Sequence, residues 1–131
     1  MDFVFDTYAL VEIIKGNKNY VNYLNKEIVI NNFIFAELCY ILIRNNYPEA
    51  DKYLDRYERF IVSLNPKIIR EAMKFRHKNK DRNFSIPDCT SYLMAKELGI
   101  KFLTGDKEFK DFENVEFVKW SEIYMTNTFK N

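Results

Sequence analysis

Short, almost wholly apolar runs alternate with longer amphipathic stretches along this chain, and that alternation restricts the fold more than any other feature. Phe3-Val4-Phe5, Glu27-Ile28-Val29-Ile30, Phe60-Ile61-Val62-Ser63-Leu64, Lys101-Phe102-Leu103-Thr104 and Val115-Glu116-Phe117-Val118 are too short for helices. Runs of this kind read as strands covered on both faces. Between them, Leu10, Val11 and Ile14 share a helix face that Gly16 ends, and Ile34, Leu38, Ile41 and Leu42 repeat at helical spacing. Residues 19–24 read as a short helix. Pro48 precedes a charged, aromatic helix over residues 49–59, and Pro66 opens one carrying Ile68, Ile69, Ala72 and Met73. Residues 78–84 are polar and loop-like, and Ser85-Ile86-Pro87 opens a helix that stops at Gly99. Strands alternating with helices predict an α/β sandwich with a mostly parallel sheet.

A chain of 131 residues with 47% hydrophobic residues suits one globular domain over 1–131, with residues 121–131 read as a short helix or a tail. The formal net charge of +1 argues against a strongly basic surface that coats nucleic acid, but leaves room for a local basic stripe. Cys39, Cys89 and the single histidine, His77, are too few and too scattered for a zinc site, and the cysteines read as buried thiols. No run reaches membrane-spanning length and no leader pattern opens the chain, so a soluble cytoplasmic protein is expected.

Four acids stand where such a fold concentrates function. In an open α/β sheet, ligands bind beyond the carboxyl ends of the strands. Asp6 follows the first strand, Asp106 follows Lys101-Phe102-Leu103-Thr104, Asp88 lies in the first turn of the helix feeding that strand, and Glu37 lies one turn into an earlier helix. Taken singly, each aspartate is explained as a helix cap, and Ser85-Ile86-Pro87-Asp88 has the form of a capping box. Glu37 resists that reading. It lies between Ile34 and Ile41 on the apolar stripe, where an unpaired carboxylate costs several kcal/mol. Carboxylates without histidine or cysteine are hard oxygen donors suited to Mg²⁺ or Mn²⁺.

This ordered set resembles the PIN domain, and more closely the VapC-like toxin ribonucleases within it. The resemblance is carried by Phe5-Asp6-Thr7-Tyr8-Ala9-Leu10, Ala36-Glu37-Leu38, Pro87-Asp88 and Leu103-Thr104-Gly105-Asp106-Lys107-Glu108-Phe109. It implies a three-layer α/β/α sandwich with a five-stranded parallel sheet and a Mg²⁺- or Mn²⁺-dependent endoribonuclease acting on RNA. Asp6, Glu37, Asp88 and Asp106 would bind the metal, and Thr104 would orient a carboxylate or a water. Glu108 stands where many relatives have a further acid and is assigned a supporting or solvated role. The resemblance also implies a homodimer restrained by a small antitoxin protein. An RNA-processing nuclease is the nearer alternative, and the chain's minimal size favours the toxin. A non-catalytic α/β binding module is the other; none of the four acids is missing, which counts against it.

Three further features are open at this level. Lys67, Arg70, Lys74, Arg76, Lys78, Lys80 and Arg82 form the one markedly basic stretch, either a solvated face or an RNA-backbone contact. Tyr47, Tyr53, Tyr57 and Phe60 read as an aromatic helix face, for the core first and otherwise for a dimer contact or an antitoxin groove. Gly105 is expected to allow a tight turn that aims Asp106 into an acidic pocket.

Overall fold

The computed structural model describes residues 1–121, so all but the first residue of the expected tail lies outside the described residues. In chain order the elements are β1 (Phe3–Phe5), α1 (Thr7–Lys15), β2 (Ile28–Val29), α2 (Asn32–Arg44), α3 (Ala50–Tyr57), α4 (Pro66–Lys78), α5 (Ile86–Leu98), β3 (Lys101–Thr104) and β4 (Val115–Phe117). Short 3₁₀ segments fill connections at Lys18–Tyr23, Glu58–Phe60, Lys80–Arg82 and Lys107–Phe109. The strands are parallel in the order β2-β1-β3-β4.

The pleat of the sheet sorts its side chains into two cores. Phe5 and Leu103, opposite each other in register, join Leu10, Ile34, Leu38 and Ile41 on one face. Val4 and Phe102, one residue earlier in each strand, join Tyr92, Met94, Ala95 and Phe109 on the other. Both faces are therefore covered by helices, which is why the strands carry no polar alternation. The result is the expected three-layer α/β/α sandwich.

Local signals fix where the helices begin. Asn31 caps α2 by accepting from the Ile34 amide at 3.0 Å, and its amide group donates to Ser91 Oγ at 3.1 Å, which ties α2 to α5. Asn65 caps α4, which Pro66 opens. Ser85 and Asp88 form the reciprocal capping box expected at the start of α5. Tyr57 is buried and Tyr47 and Tyr53 pack partly buried against the same core, as their spacing suggests. Cys39 and Cys89 are unbridged, with Cys89 buried.

Three expectations change. The sheet has four strands among the described residues, not five. A 3₁₀ turn runs through Phe60, Val62 and Ser63 are exposed, and Asn65 already caps α4. Only Ile61 remains to meet Ile30, in one parallel bridge closed by Ile30 N to Phe60 O at 3.0 Å and Val62 N to Ile30 O at 2.8 Å. The helix expected over residues 49–59 is shorter, because Glu49 takes a left-handed conformation (φ 60°) and the helix tightens into 3₁₀ geometry after Tyr57. The polar loop after α4 contains the 3₁₀ turn Lys80–Arg82, followed by left-handed Asn83.

Phe109 is fully buried and stacks on Phe84 with ring centroids 4.0 Å apart, inside a cluster with Tyr92, Phe102 and Phe112. Removing such a ring forfeits its transfer energy and leaves a cavity. Phe109→Ala is expected to cost about 3–5 kcal/mol in urea unfolding. A loss below about 1 kcal/mol, the level of an ordinary surface substitution or less, would show that this cluster does not hold the β3 side of the molecule together.

Candidate active site

β1 leads to β2 on one side of the sheet and β3 leads to β4 on the other, so a crevice opens at the carboxyl ends of β1 and β3. The ladder sets its floor. The Asp6 amide donates to Leu103 O at 3.0 Å, which brings Asp6 beside Thr104. Thr104, fully buried, donates its hydroxyl hydrogen to Asp6 Oδ2 and accepts from the Asp106 amide at 3.1 Å. One hydroxyl thus fixes Asp6 and the start of the Asp106 loop together, using the donor and a lone pair it has available.

Each aspartate is also a cap. Asp6 Oδ1 accepts from the Ala9 amide at 2.6 Å at the start of α1. Asp88 Oδ2 accepts from the Ser85 amide at 3.2 Å while the Asp88 amide donates to Ser85 Oγ at 3.1 Å. Asp106 Oδ1 accepts from the Glu108 amide at 3.0 Å and caps the Lys107–Phe109 turn. Glu37 accepts the Thr7 hydroxyl through Oε1. Capping occupies one oxygen each of Asp88 and Asp106, and Thr7 occupies one of Glu37. Their second oxygens accept no hydrogen bond among the described residues.

Glu37, Asp88 and Asp106 line a cleft of about 530 Å³ together with Tyr8, Arg82 and Asn83. Asp6 and Thr104 lie beneath it, both essentially inaccessible. Glu108 is exposed at the rim, 3.8 Å from Arg82, in agreement with a solvated or supporting place. His77 is exposed and outside the cleft.

The acids repel one another. Burial pushes the Asp6 carboxyl well above the usual carboxylate range, against the lowering effect of Thr104, and Asp88 and Asp106 push it further. Asp88 is raised to about 7, first by burial and then by the charges of Asp106 and Glu37, against its bonds to Ser85. Glu37 is raised by burial, with the Thr7 bond opposing. Such a concentration of displaced carboxylates in a cleft marks a functional site more often than a structural one.

The donor set fits a hard divalent cation. It holds carboxylate oxygens only, from three residues that line one cleft and each keep an oxygen without a hydrogen bond among the described residues, and a cation would relieve their mutual repulsion. Among the described residues no group of three or more acidic, histidine or cysteine side chains is gathered closely enough to hold an ion directly. A site with one or two direct carboxylates and several waters is the form Mg²⁺ favours.

Gly105 has a different purpose from the one expected. Its backbone is not left-handed; instead Trp120 Cδ1 lies 2.3 Å from where a Cβ would stand. Glycine is required there because the indole packs on the backbone just before Asp106. Sequence reasoning also missed Tyr8, Asp81, Arg82, Asn83 and Trp120 as cleft residues. Trp120 is the single tryptophan, which was the one available signal, but nothing local ties it to residue 105.

A sequence model of the PIN domain matches residues 3–115. No curated protein matches the chain significantly. Among solved structures, the fold is similar to a chain of a toxin–antitoxin complex from Klebsiella pneumoniae (TM-score 0.72, 18% identity, covering 88% of this chain and 96% of that one). It is similar to VapC20 of Mycobacterium tuberculosis, described as a sarcin-ricin loop cleaving toxin (TM-score 0.71, 15% identity, 89% and 99%). It is also similar to a chain of VapBC2 from Rickettsia felis, solved with a promoter DNA fragment (TM-score 0.67, 21% identity, 92% and 100%). The family match runs from β1 to the start of β4 and includes Asp6, Glu37, Asp88, Thr104 and Asp106 in order, and the chain belongs to the PIN-domain family.

Proposed function

We propose that this protein is a Mg²⁺- or Mn²⁺-dependent endoribonuclease that hydrolyses RNA phosphodiester bonds and serves as the toxin of a toxin–antitoxin pair. The observation that carries the reading is the convergence of Glu37, Asp88 and Asp106 on one cleft, with Asp6 beneath them at the switch point of the sheet. The toxin assignment draws support from the similar structures, which are toxins or toxin–antitoxin complexes and which this chain matches over nearly their whole length.

One or two of Glu37, Asp88 and Asp106 would hold the cation directly through their uncommitted oxygens and the rest through its waters, with Asp6 adding its charge from below. When bound, such an ion offsets charge on the phosphoryl oxygens and activates water for attack on phosphorus. The chain's own residues supply positioning. Thr104 holds Asp6 and the Asp106 backbone in one arrangement, Thr7 fixes the Glu37 carboxylate, and the capping box holds Asp88 against rotation. Fixed carboxylates need no reorganisation when the substrate arrives, which is where an electrostatic site gains most of its effect. A cytoplasmic location follows from the proposed role, and no helix among the described residues is long and apolar enough to cross a membrane.

Cleavage of single-stranded RNA is expected with Mg²⁺ or Mn²⁺ and is expected to cease in EDTA. Asp6→Asn, Glu37→Gln and Asp88→Asn are each expected to reduce the rate at least about a hundredfold, since each 1.36 kcal/mol of lost transition-state stabilisation is tenfold. Cleavage that persists in excess chelator would overturn the metal mechanism, and near-normal turnover in any variant would remove that residue from the site.

Thermal melts test the same electrostatics without activity. Below pH 3.8, the ordinary value for Asp88, the folded and unfolded chains both carry its proton. As pH rises towards about 7 the unfolded chain releases that proton while the folded chain retains it, so stability falls across this window and the loss is complete above it. Asp88→Asn is expected to flatten that fall in EDTA, and millimolar Mg²⁺ is expected to raise the wild-type Tm at neutral pH more than that of the variant. Superimposable pH profiles for the two proteins would show that Asp88 is a cap and nothing more.

As a toxin the chain would form a homodimer and be held by a small antitoxin, for which the exposed apolar side chains Phe33, Tyr40 and Ile43 of α2 offer contact area. A dimer is expected by light scattering at high micromolar concentration. A monomer there would count against it.

A further inference from the structure

We propose that a second cavity, lined by Met73, Arg76, His77, Lys80, Asn83 and Phe84, is a phosphate-binding subsite that holds the RNA strand beside the bond to be cut. This rests on the ribonuclease reading and assigns the substrate a path outside the acidic cleft. The cavity measures about 280 Å³ and opens between the last turn of α4 and the 3₁₀ turn that follows it. Asn83 walls both this cavity and the acidic cleft, so the two lie side by side.

The 3₁₀ turn divides charge between them. Asp81 and Arg82 face the acidic cleft, whereas Lys80 faces the second cavity. The acidic cleft is lined by Glu37, Asp81, Asp88, Asp106 and Glu108, with Arg82 as the cation among its lining residues. The second cavity is lined by Arg76, Lys80 and His77 and by no acid. Without a bound cation the first set repels a polyanion, at every phosphate except one beside Arg82. The adjoining cationic cavity supplies the attraction that the acidic one denies.

Complementing the dipole at the end of α4 accounts for Arg76 and His77, but Lys80 lies beyond that helix. Two of the neighbouring basic residues are otherwise engaged. Lys74 pairs with Glu71 at 3.5 Å and Arg82 with Glu108 at 3.8 Å. Arg76 and Lys80 form no ion pair among the described residues. Arg76 is instead tethered through its Nε, which donates to Phe84 O at 2.9 Å and leaves its terminal nitrogens to meet an anion. A guanidinium held in this way loses little side-chain freedom on binding phosphate.

The test measures binding separately from cleavage. Fluorescein-labelled decauridine is titrated with protein in EDTA at several salt concentrations and followed by anisotropy. His77→Ala/Lys80→Ala is compared with Lys67→Ala/Arg70→Ala, a pair of exposed basic residues in the first half of the same helix. The control removes more formal charge than the cavity variant, so a mere net-charge effect would make the control the weaker binder. The cavity variant is expected to lose roughly fivefold to tenfold in affinity, with a salt slope smaller by about 0.7 for the phosphate released, and the control less than about twofold. Equal losses in the two variants, or none in either, overturn the subsite. If the wild type cleaves RNA with Mg²⁺ while the cavity variant binds as the control does, the subsite is wrong and the ribonuclease reading stands. If the wild type neither binds nor cleaves RNA, the ribonuclease reading fails and the subsite falls with it.

Discussion

The pairing of β1 with β3 is the constraint on which the site depends. Because Phe5 lies opposite Leu103, the next residue of each strand is Asp6 or Thr104, and the two side chains meet at the floor of the crevice. A slip of one residue would turn the Thr104 hydroxyl to the other face of the sheet. The register is itself held by burial. Val4 and Phe102 enter one core, Phe5 and Leu103 the other, and a slip would exchange them. Packing of ordinary apolar side chains therefore fixes the position of a carboxylate that contributes nothing to packing.

Capping and site formation had looked like competing explanations for the aspartates. In the structure they are the same arrangement. A helix that starts just beyond a strand needs an acceptor for its first amides, and that acceptor stands where the crevice opens. Asp6, Asp88 and Asp106 each give oxygen to a backbone amide, which orients the carboxylate without neutralising it. The local gain of a cap, about 1 kcal/mol, offsets part of the cost of crowding the acids. Burial first, and the charges of the neighbouring acids after it, raise the Asp6 and Asp88 carboxyls, a cost that a bound cation would lower.

The parts legible in the sequence were those set by local physics. Four of the five strand positions, the Ser85–Asp88 box, the Gly16 and Gly99 helix ends and the placement of Glu37 on an apolar stripe all follow from spacing within a few residues. What was missed depends on where turns begin and end and on contacts between separated segments, which spacing does not encode. Ile61-Val62-Ser63 has strand composition, but how much of it pairs is decided by how far the 3₁₀ turn at Glu58–Phe60 runs before α4 begins. Gly105 has the sequence signature of a turn, and only the approach of Trp120 shows why no larger residue fits. Asp81 and Arg82 belong to a basic stretch by composition. Their direction into the acidic cleft, opposite to Lys80, is set by a single 3₁₀ turn.

The return of the chain after β4 closes the arrangement. Val118 joins the end of the sheet through the hydrogen bond its backbone amide donates to Thr104 O at 3.0 Å, and the Tyr20 hydroxyl donates to Val118 O at 2.7 Å. Trp120 then packs on Gly105, with its ring 5.1 Å from that of Tyr8, and Ser121 donates its amide to the buried Glu12 carboxylate. The backbone on which Asp106 depends is thus held from within by Thr104 and covered from outside by the segment after β4. Two contacts from the two sides of one loop converge on it, so that loop needs little secondary structure of its own to hold a carboxylate in place.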